Sequence, residues 1–255
     1  MNILVTNDDG IEAEGIRNLA DALREVADIY VCAPHVQRSG SGHAITIERR
    51  VVAEEVDFPG AKKAIRLEGT PADCVKMGLR IYGDAGIVID KVFSGVNHGS
   101  NMGTDTLYSG TVSAALEGSL CGLPSVAVSI DARKPRQYDT ARALAVKAAK
   151  PDFSAIDERI VLNINVPDLP KDEIKGVKIT GLGLREYDEW YEKIMEADGT
   201  VGYRYSGRPV FYEGLDIDET DVGAAQAGYA TITPLHFDLT SYNLIDKLKR
   251  GGFAD

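Results

Sequence analysis

Met1-Asn2-Ile3-Leu4-Val5-Thr6-Asn7-Asp8-Asp9-Gly10 opens the chain, and these residues, read together with those as far as Pro34, decide the fold. Ile3-Leu4-Val5 is too short an apolar run for a helix and suits a strand buried on both faces. It breaks off into Thr6-Asn7-Asp8-Asp9-Gly10, all polar or turn-forming. Ile16, Leu19, Ala20, Leu23 and Val26 then recur at three- and four-residue intervals, which predicts a helix ending at Asp28. Ile29-Tyr30-Val31-Cys32-Ala33 is a second strand, stopped by Pro34. Strand, helix and strand in so short a stretch imply a right-handed crossover and a parallel sheet.

The alternation continues down the chain. Thr70-Pro71-Ala72-Asp73 reads as a helix start, with Thr70 as N-cap, Pro71 at the first helical position and Asp73 as the acid reaching back. Ile87 to Ser94 reads as a strand interrupted by Asp90-Lys91, followed by a Gly-rich loop from Gly95. Gly110 to Cys121 and Ala141 to Lys150 read as helices; Ser125 to Ile130 and Val161 to Val166 read as strands, the latter closed by Pro167. Residues 1–170 therefore suggest a Rossmann-like, three-layer, doubly wound α/β core on a mainly parallel sheet. Residues 171–255 have a different texture. Seven of the eighteen aromatics lie between Tyr187 and Tyr212: Tyr187, Trp190, Tyr191, Tyr203, Tyr205, Phe211 and Tyr212. Asp198-Gly199 is a hairpin signal between alternating segments. This region is expected to be a β-rich extension whose exposed aromatics serve an oligomer contact, the alternative being a local satellite core. Ala230 to Pro234 supplies one last strand.

Composition narrows the function. The 255 residues carry 28 basic and 39 acidic side chains, a net charge of −11, with no run of Lys and Arg longer than two. Binding of a nucleic acid polymer is disfavoured, because phosphate neutralisation needs a basic surface. A small phosphorylated ligand stays possible, since local backbone donors or a cation override the global balance. No apolar run is long enough to span a bilayer, and acids arrive too early for a signal peptide. Cys32, Cys74 and Cys121 form no CxxC pair and read as buried small hydrophobes in a reducing compartment, the cytoplasm.

Ligands of open α/β sheets sit at the carboxyl ends of the strands. Asp8 and Asp9 lie at that edge of the first strand, and adjacent carboxylates repel unless a cation or a proton joins them. A Mg²⁺ or Mn²⁺ site is the functional reading; a plain turn capped by Asp8 is the other. The second strand feeds His35-Val36-Gln37-Arg38-Ser39-Gly40-Ser41-Gly42-His43, where Ser39 offers a hydroxyl to a metal, or the stretch is a surface loop. The third loop carries Asn97 and Asn101, whose amide oxygens suit a hard cation or a phosphate-bound water. It leads to Tyr108-Ser109-Gly110-Thr111, a helix entry offering free N–H groups, two hydroxyls and the positive dipole end to a phosphate. Ser and Thr are also ordinary N-caps. His35, His43 and His98 sit in these loops as possible acids or bases; His236 lies far away in sequence. There is no GxxxxGK[ST] and no GxSxG.

Taken together, Asn7-Asp8-Asp9-Gly10, Arg38-Ser39-Gly40, Ser94-Gly95-Val96-Asn97 with Gly99 and Asn101, and Tyr108-Ser109-Gly110-Thr111-Val112 resemble the SurE family, stationary-phase survival proteins that act as metal-dependent nucleotidases. Gly69-Thr70-Pro71-Ala72-Asp73-Cys74-Val75, Asn163-Ile164-Asn165-Val166-Pro167, Thr220-Asp221 and Thr233-Pro234-Leu235 are similar to family segments in the same order. The resemblance implies one divalent cation per subunit, Mg²⁺ or Mn²⁺, held by Asp8, Asp9, Ser39 and Asn97, and a phosphate pocket lined by Asn101, Ser109, Gly110 and Thr111. It implies hydrolysis of nucleoside 5′-monophosphates, in some members also of 3′-monophosphates or short polyphosphate. It further implies a homodimer or homotetramer built by exchange of C-terminal elements. Asp8 or Asp9 is then the candidate catalytic base for the attacking water. A role for His43 is not carried over, since that position varies.

Two rivals stand beside this reading. A haloacid-dehalogenase-like phosphatase needs acids two apart, and the position two after Asp8 is Gly10. A non-catalytic nucleotide-sensing stress protein would bind nucleotide without consuming it.

Overall fold

The computed structural model describes residues 1–150, 159–188, 190–210 and 215–251. A nine-stranded sheet runs through the molecule in the order β3-β4-β2-β1-β5-β6-β7-β13-β8. Its members are β1 (Asn2–Thr6), β2 (Asp28–Pro34), β3 (Ala53–Glu55), β4 (Lys63–Leu67), β5 (Lys91–His98), β6 (Ser125–Ile130), β7 (Val161–Val166), β8 (Val177–Ile179) and β13 (Ala230–Leu235). From β4 through β7 every pairing is parallel; β3 on β4 and β13 on β7 are antiparallel. The chain grows outward from β1 to β2 and β4, then returns to lay β5 on the other side of β1. The topological switch point therefore falls between β1 and β5, where such sheets open a crevice at the carboxyl ends.

Helices α1 (Glu14–Leu23) and α4 (Asp139–Ala149) cover one face; α1 stops at Leu23, short of the end expected at Asp28, because Asp28 already pairs with Asn2 as the first residue of β2. Ile3 and Val5 of β1 pack there against Ile16, Leu19 and Leu23, in one core with Phe93, Val128 and Ile164. Leu4 points the other way, into a second core with Cys32, Cys74, Val75 and Tyr82 beneath α2 (Pro71–Asp84). Next to it, α3 (Gly110–Leu120) sets Val112 and Ala115 on Ala127 and Val161. Strand β1 is thus covered on both faces, as its unbroken apolar run demanded. The capping box at Thr70 is present: its hydroxyl accepts from the Asp73 N–H (3.1 Å), and the Asp73 carboxylate accepts from the Thr70 N–H (2.9 Å).

Strand β5 departs from the expected span of 87–94. It starts at Lys91 and runs through Gly95 to His98. Residues up to Asp90 instead turn back onto β1, where the Asp90 carboxylate accepts from the Asn2 N–H (2.6 Å). The strand survives Gly95 because that residue has φ +129° and no Cβ: one placed there would lie 2.2 Å from the Val128 carbonyl oxygen. Cys32 and Cys74 are buried, but Cys121 is exposed, because it caps the solvent end of α3 and the chain turns away at Gly122 (φ +79°). Among the described residues no helix is long and apolar enough to cross a membrane.

The C-terminal region adds β8 and β13 to the main sheet and α5 (Asp221–Gln226) beside them. It also makes a separate hairpin of β10 (Tyr191–Met195) and β11 (Val201–Tyr205), turning at Asp198-Gly199, next to the short pair β9 (Tyr187–Asp188) and β12 (Arg208–Pro209). Trp190, Tyr191, Tyr203 and Tyr205 are exposed, whereas Tyr187 is half-buried and donates to Asp105 (2.6 Å). Phe211 and Tyr212 lie outside the described residues. The last helix, α6 (Tyr242–Arg250), buries none of its side chains. Gly95→Ala is expected to lower the melting temperature by at least about 6 °C, through backbone strain and the Val128 clash; an unchanged transition in a calorimetric scan would show that β5 tolerates the side chain.

Candidate active site

Asp8 lies two residues beyond the end of β1 and is only 4% exposed. Its Oδ1 accepts from the Thr111 hydroxyl at 2.5 Å. That single contact joins the loop after β1 to the first turn of α3, 103 residues later. Gly110 makes the approach possible: a Cβ there would stand 2.9 Å from Asp8 Oδ2. Ser109 caps the same helix by accepting from the Val112 N–H (3.0 Å). Burial is the main force on the Asp8 carboxyl, raising its pKa to about 6; Thr111 opposes the shift and the charge of Asp9 adds to it.

Asp9 is less buried. Its oxygens accept from the Gln37 side-chain amide (3.2 Å) and the His98 N–H (3.3 Å). The same Gln37 amide donates to Ser39 Oγ (2.9 Å), so Gln37 bridges two of the expected ligands. The Asn97 amide nitrogen donates to the Gly99 carbonyl (2.8 Å), leaving Oδ1 as its free acceptor. Below these loops, at the carboxyl ends of β1 and β5, Thr6 and Ser94 pair in register, and their hydroxyls, like Asn7 Oδ1, are buried without a hydrogen-bond partner among the described residues.

This donor set fits a hard divalent cation. It offers two carboxylates, a hydroxyl and an amide oxygen, all oxygen donors, and Asp8 sits in a buried place that penalises its charge unless a cation offsets it. No group of three or more His, Cys, Asp or Glu able to hold a metal occurs among the described residues, so a cation here would rest on two acids supplemented by neutral oxygens.

The second loop is strapped at several points. Arg38 N–H donates to the Asp8 carbonyl (2.7 Å), Gly42 N–H to the Tyr108 carbonyl (3.1 Å), and Thr46 bonds the Asp73 carboxylate through its N–H and hydroxyl. His43 Nε2 meets Glu117 (2.9 Å), two helical turns beyond the Ser109-Gly110-Thr111 entry, and Lys76 reaches the other oxygen of Glu117 (2.8 Å). These two partners hold the Glu117 carboxyl below its ordinary pKa. His98 Nε2 faces the Tyr138 hydroxyl (2.7 Å), toward α4. Neither histidine is directed at the acids.

Asn101 is nearly enclosed. Its main-chain N–H and C=O and its side-chain nitrogen all bond residues of β6 and β7. Three residues, Gln37, Arg185 and Asp221, make contacts that the sequence reading did not give. Gln37 was legible only as a neighbour of Ser39. Arg185 bonds Ser100 (2.7 Å) and pairs with Asp105 (3.3 Å), both far from it in sequence. Asp221 accepts from the N–H groups of Gly103 and Gly183 (2.9 and 2.8 Å).

Paired carboxylates at the switch point of an open sheet, set against the N-terminus of a helix, place the protein among doubly wound α/β proteins whose ligand site lies outside β1 and β5. The sequence profile described as Survival protein SurE matches residues 3–189. The chain belongs to the SurE family. It is 43% identical over 251 residues to the 5′-nucleotidase SurE of Petrotoga mobilis, with 98% of each chain covered. It is also 43% identical to the protein of the same description from Pelotomaculum thermopropionicum, covering 98% of this chain and 95% of that one. The crystal structure of SurE protein from Aquifex aeolicus superposes with a TM-score of 0.81 at 35% identity, covering 98% and 99% of the two chains.

Because the folded-state pKa of Asp8 lies above the ordinary carboxylate value of 3.8, its contribution to stability is full at low pH and is lost as pH rises toward about 6. In EDTA, urea unfolding of wild type relative to Asp8→Asn is therefore expected to show a relative loss of up to about 3 kcal/mol between pH 4 and 7. Parallel pH profiles for the two proteins would refute the burial of an uncompensated charge.

Proposed function

We propose that the chain is a divalent-metal-dependent 5′-nucleotidase, hydrolysing nucleoside 5′-monophosphates to nucleoside and phosphate. The observation that carries this reading is the Asp8–Thr111 hydrogen bond, which sets the acid pair against the Ser109-Gly110-Thr111 helix entry. Relatives named 5′-nucleotidase, matched over nearly the whole chain, support the substrate class. Asp8, Asp9, Ser39 and Asn97 would hold one Mg²⁺ or Mn²⁺ per subunit. Such a cation, when bound, polarises a phosphate oxygen and lowers the pKa of water beside it.

The chain's own groups do the rest. The α3 entry, with the positive end of the helix dipole, would stabilise charge on the equatorial phosphate oxygens and hold the ester in line. Gly110 keeps that backbone open to approach, and Asn101 would line the same pocket. Thr111 fixes the orientation of Asp8 by donating to it. Asp9 is the better candidate to take a proton from the attacking water, because it is less buried and its oxygens accept only from amides at 3.2 and 3.3 Å. Accepted 3′-monophosphates or short polyphosphate would use the same phosphate contacts.

Exposed Trp190, Tyr191, Tyr203 and Tyr205 support self-association as a homodimer or homotetramer, and the free thiols of Cys32 and Cys74 agree with a cytoplasmic setting.

Phosphate release from a panel of 5′- and 3′-nucleoside monophosphates and tripolyphosphate, with Mg²⁺, Mn²⁺ or EDTA, tests the reading. Release from the 5′-esters is expected, abolished by EDTA and lowered at least about a hundredfold by Asp8→Asn. Nucleotide binding without release would instead make the protein a sensor. Thr111→Val, which keeps the shape but removes the donor to Asp8, is expected to cut kcat/KM by about tenfold or more, read in the same assay; wild-type kinetics would show that Asp8 needs no such orientation.

A further inference from the structure

Strand β7 lies inside the sheet, between β6 and β13, where apolar side chains are the rule. Its residues Val161, Ile164 and Val166 obey it. Asn163 and Asn165 do not, yet they are 0% and 1% exposed. Burying two carboxamides costs free energy unless their polar atoms find partners; both turn to one residue, and only Asn163 Oδ1 is left without a partner among the described residues. Asn163 Nδ2 donates to the Asn101 carbonyl at 2.8 Å, and Asn165 Nδ2 donates to the same oxygen at 3.1 Å. Asn165 Oδ1 accepts from the Asn101 N–H at 2.8 Å. On the neighbouring strand β6, Ser129, also fully buried, accepts from the Asn101 side-chain nitrogen at 2.9 Å. The main chain of Asn101 is thus held like a ladder residue, but by side chains, and its side chain is fixed as well. Two residues on, Gly103 is tied to Asp221.

We propose that Ser129, Asn163 and Asn165 are positioning residues for the phosphate end of the site, acting through Asn101. Resting on the nucleotidase reading, this gives a role to the Asn163-Ile164-Asn165 motif. The cradle sets where the loop between Asn97 and Ser109 runs and which way the Asn101 carboxamide turns, with its nitrogen toward the sheet and its oxygen left as the side chain's one unbonded polar atom. Gly99 and Gly103, both at positive φ, leave the flanking backbone little stiffness of its own, so the position of Asn101 comes from beneath.

Steady-state kinetics with adenosine 5′-monophosphate test this in wild type, Asn101→Ala, Ser129→Ala, Asn165→Leu and the Ser129→Ala/Asn101→Ala double variant. Each is also measured for melting temperature and for Mn²⁺ affinity by calorimetric titration. Ser129→Ala removes one hydroxyl and leaves the core volume almost unchanged, so it folds even if Asn165→Leu does not. The expected result is a KM about three- to tenfold higher for Asn101→Ala, Ser129→Ala and Asn165→Leu, with kcat and Mn²⁺ affinity held. In the double variant, Ser129→Ala adds nothing to Asn101→Ala. Unchanged kinetics in Ser129→Ala, or losses that add in the double variant, overturn the positioning role while wild-type turnover leaves the nucleotidase reading standing. An Asn101→Ala variant with normal KM removes Asn101 from the pocket and the proposal with it. A wild type that releases no phosphate overturns the function itself.

Discussion

One buried carboxylate organises this molecule. Asp8 stands at the end of a strand covered on both faces, with Asp9 beside it and almost no solvent to dissipate its charge. Such a group needs hydrogen-bond donors or a cation close by. The chain supplies the Thr111 hydroxyl, and supplying it requires the first turn of α3 to lie against the end of β1. The glycine at 110 follows from that contact, since any side chain there would strike Asp8. The helix entry and the acid pair therefore face each other because of packing, and the same packing holds the Asp8 carboxyl above its ordinary pKa.

Around this point the loops are fastened. The stretch from Gln37 to Thr46 looks like free surface chain in composition, yet it is bonded to the Asp8 backbone, to Tyr108, to Glu117 and to Asp73. Each strap runs to a helix end or a strand end. Ser39 lies exposed on this strapped loop, where Gln37 bonds its hydroxyl. His43 and His98 take part in this fastening, their Nε2 atoms bonding Glu117 and Tyr138.

The C-terminal region is continuous with the site. β13 extends the main sheet beyond β7, Asp221 at the start of α5 holds Gly103 and Gly183, and Arg185 spans Ser100 and Asp105 at the root of the aromatic hairpin. Structure before and after residue 170 thus meets at the loop that carries Asn101. Division at that position describes a change of sequence texture better than a gap in packing.

What the sequence determined by itself is local. The apolar run of β1, the period of α1, the capping box at Thr70, the Ser109 entry to α3 and the Asp198-Gly199 turn depend on neighbours a few positions away, so their residues declare them. The acid pair and Ser39 stood out in the sequence as polar residues following strands, whereas Asn97 lies within the extended β5 and not in the loop expected after Ser94. The start of β5 was misplaced because Asp90 is drawn off to β1, and Cys121 because a helix end can face solvent behind an apolar sequence. Only the tertiary structure decided that Asp8 meets Thr111 and that Asn163 and Asn165 serve Asn101. These contacts join residues whose partners are chosen by how helices settle on a twisted sheet, and a hydrogen bond closed across 60 or 100 residues leaves no periodicity in the chain to announce it.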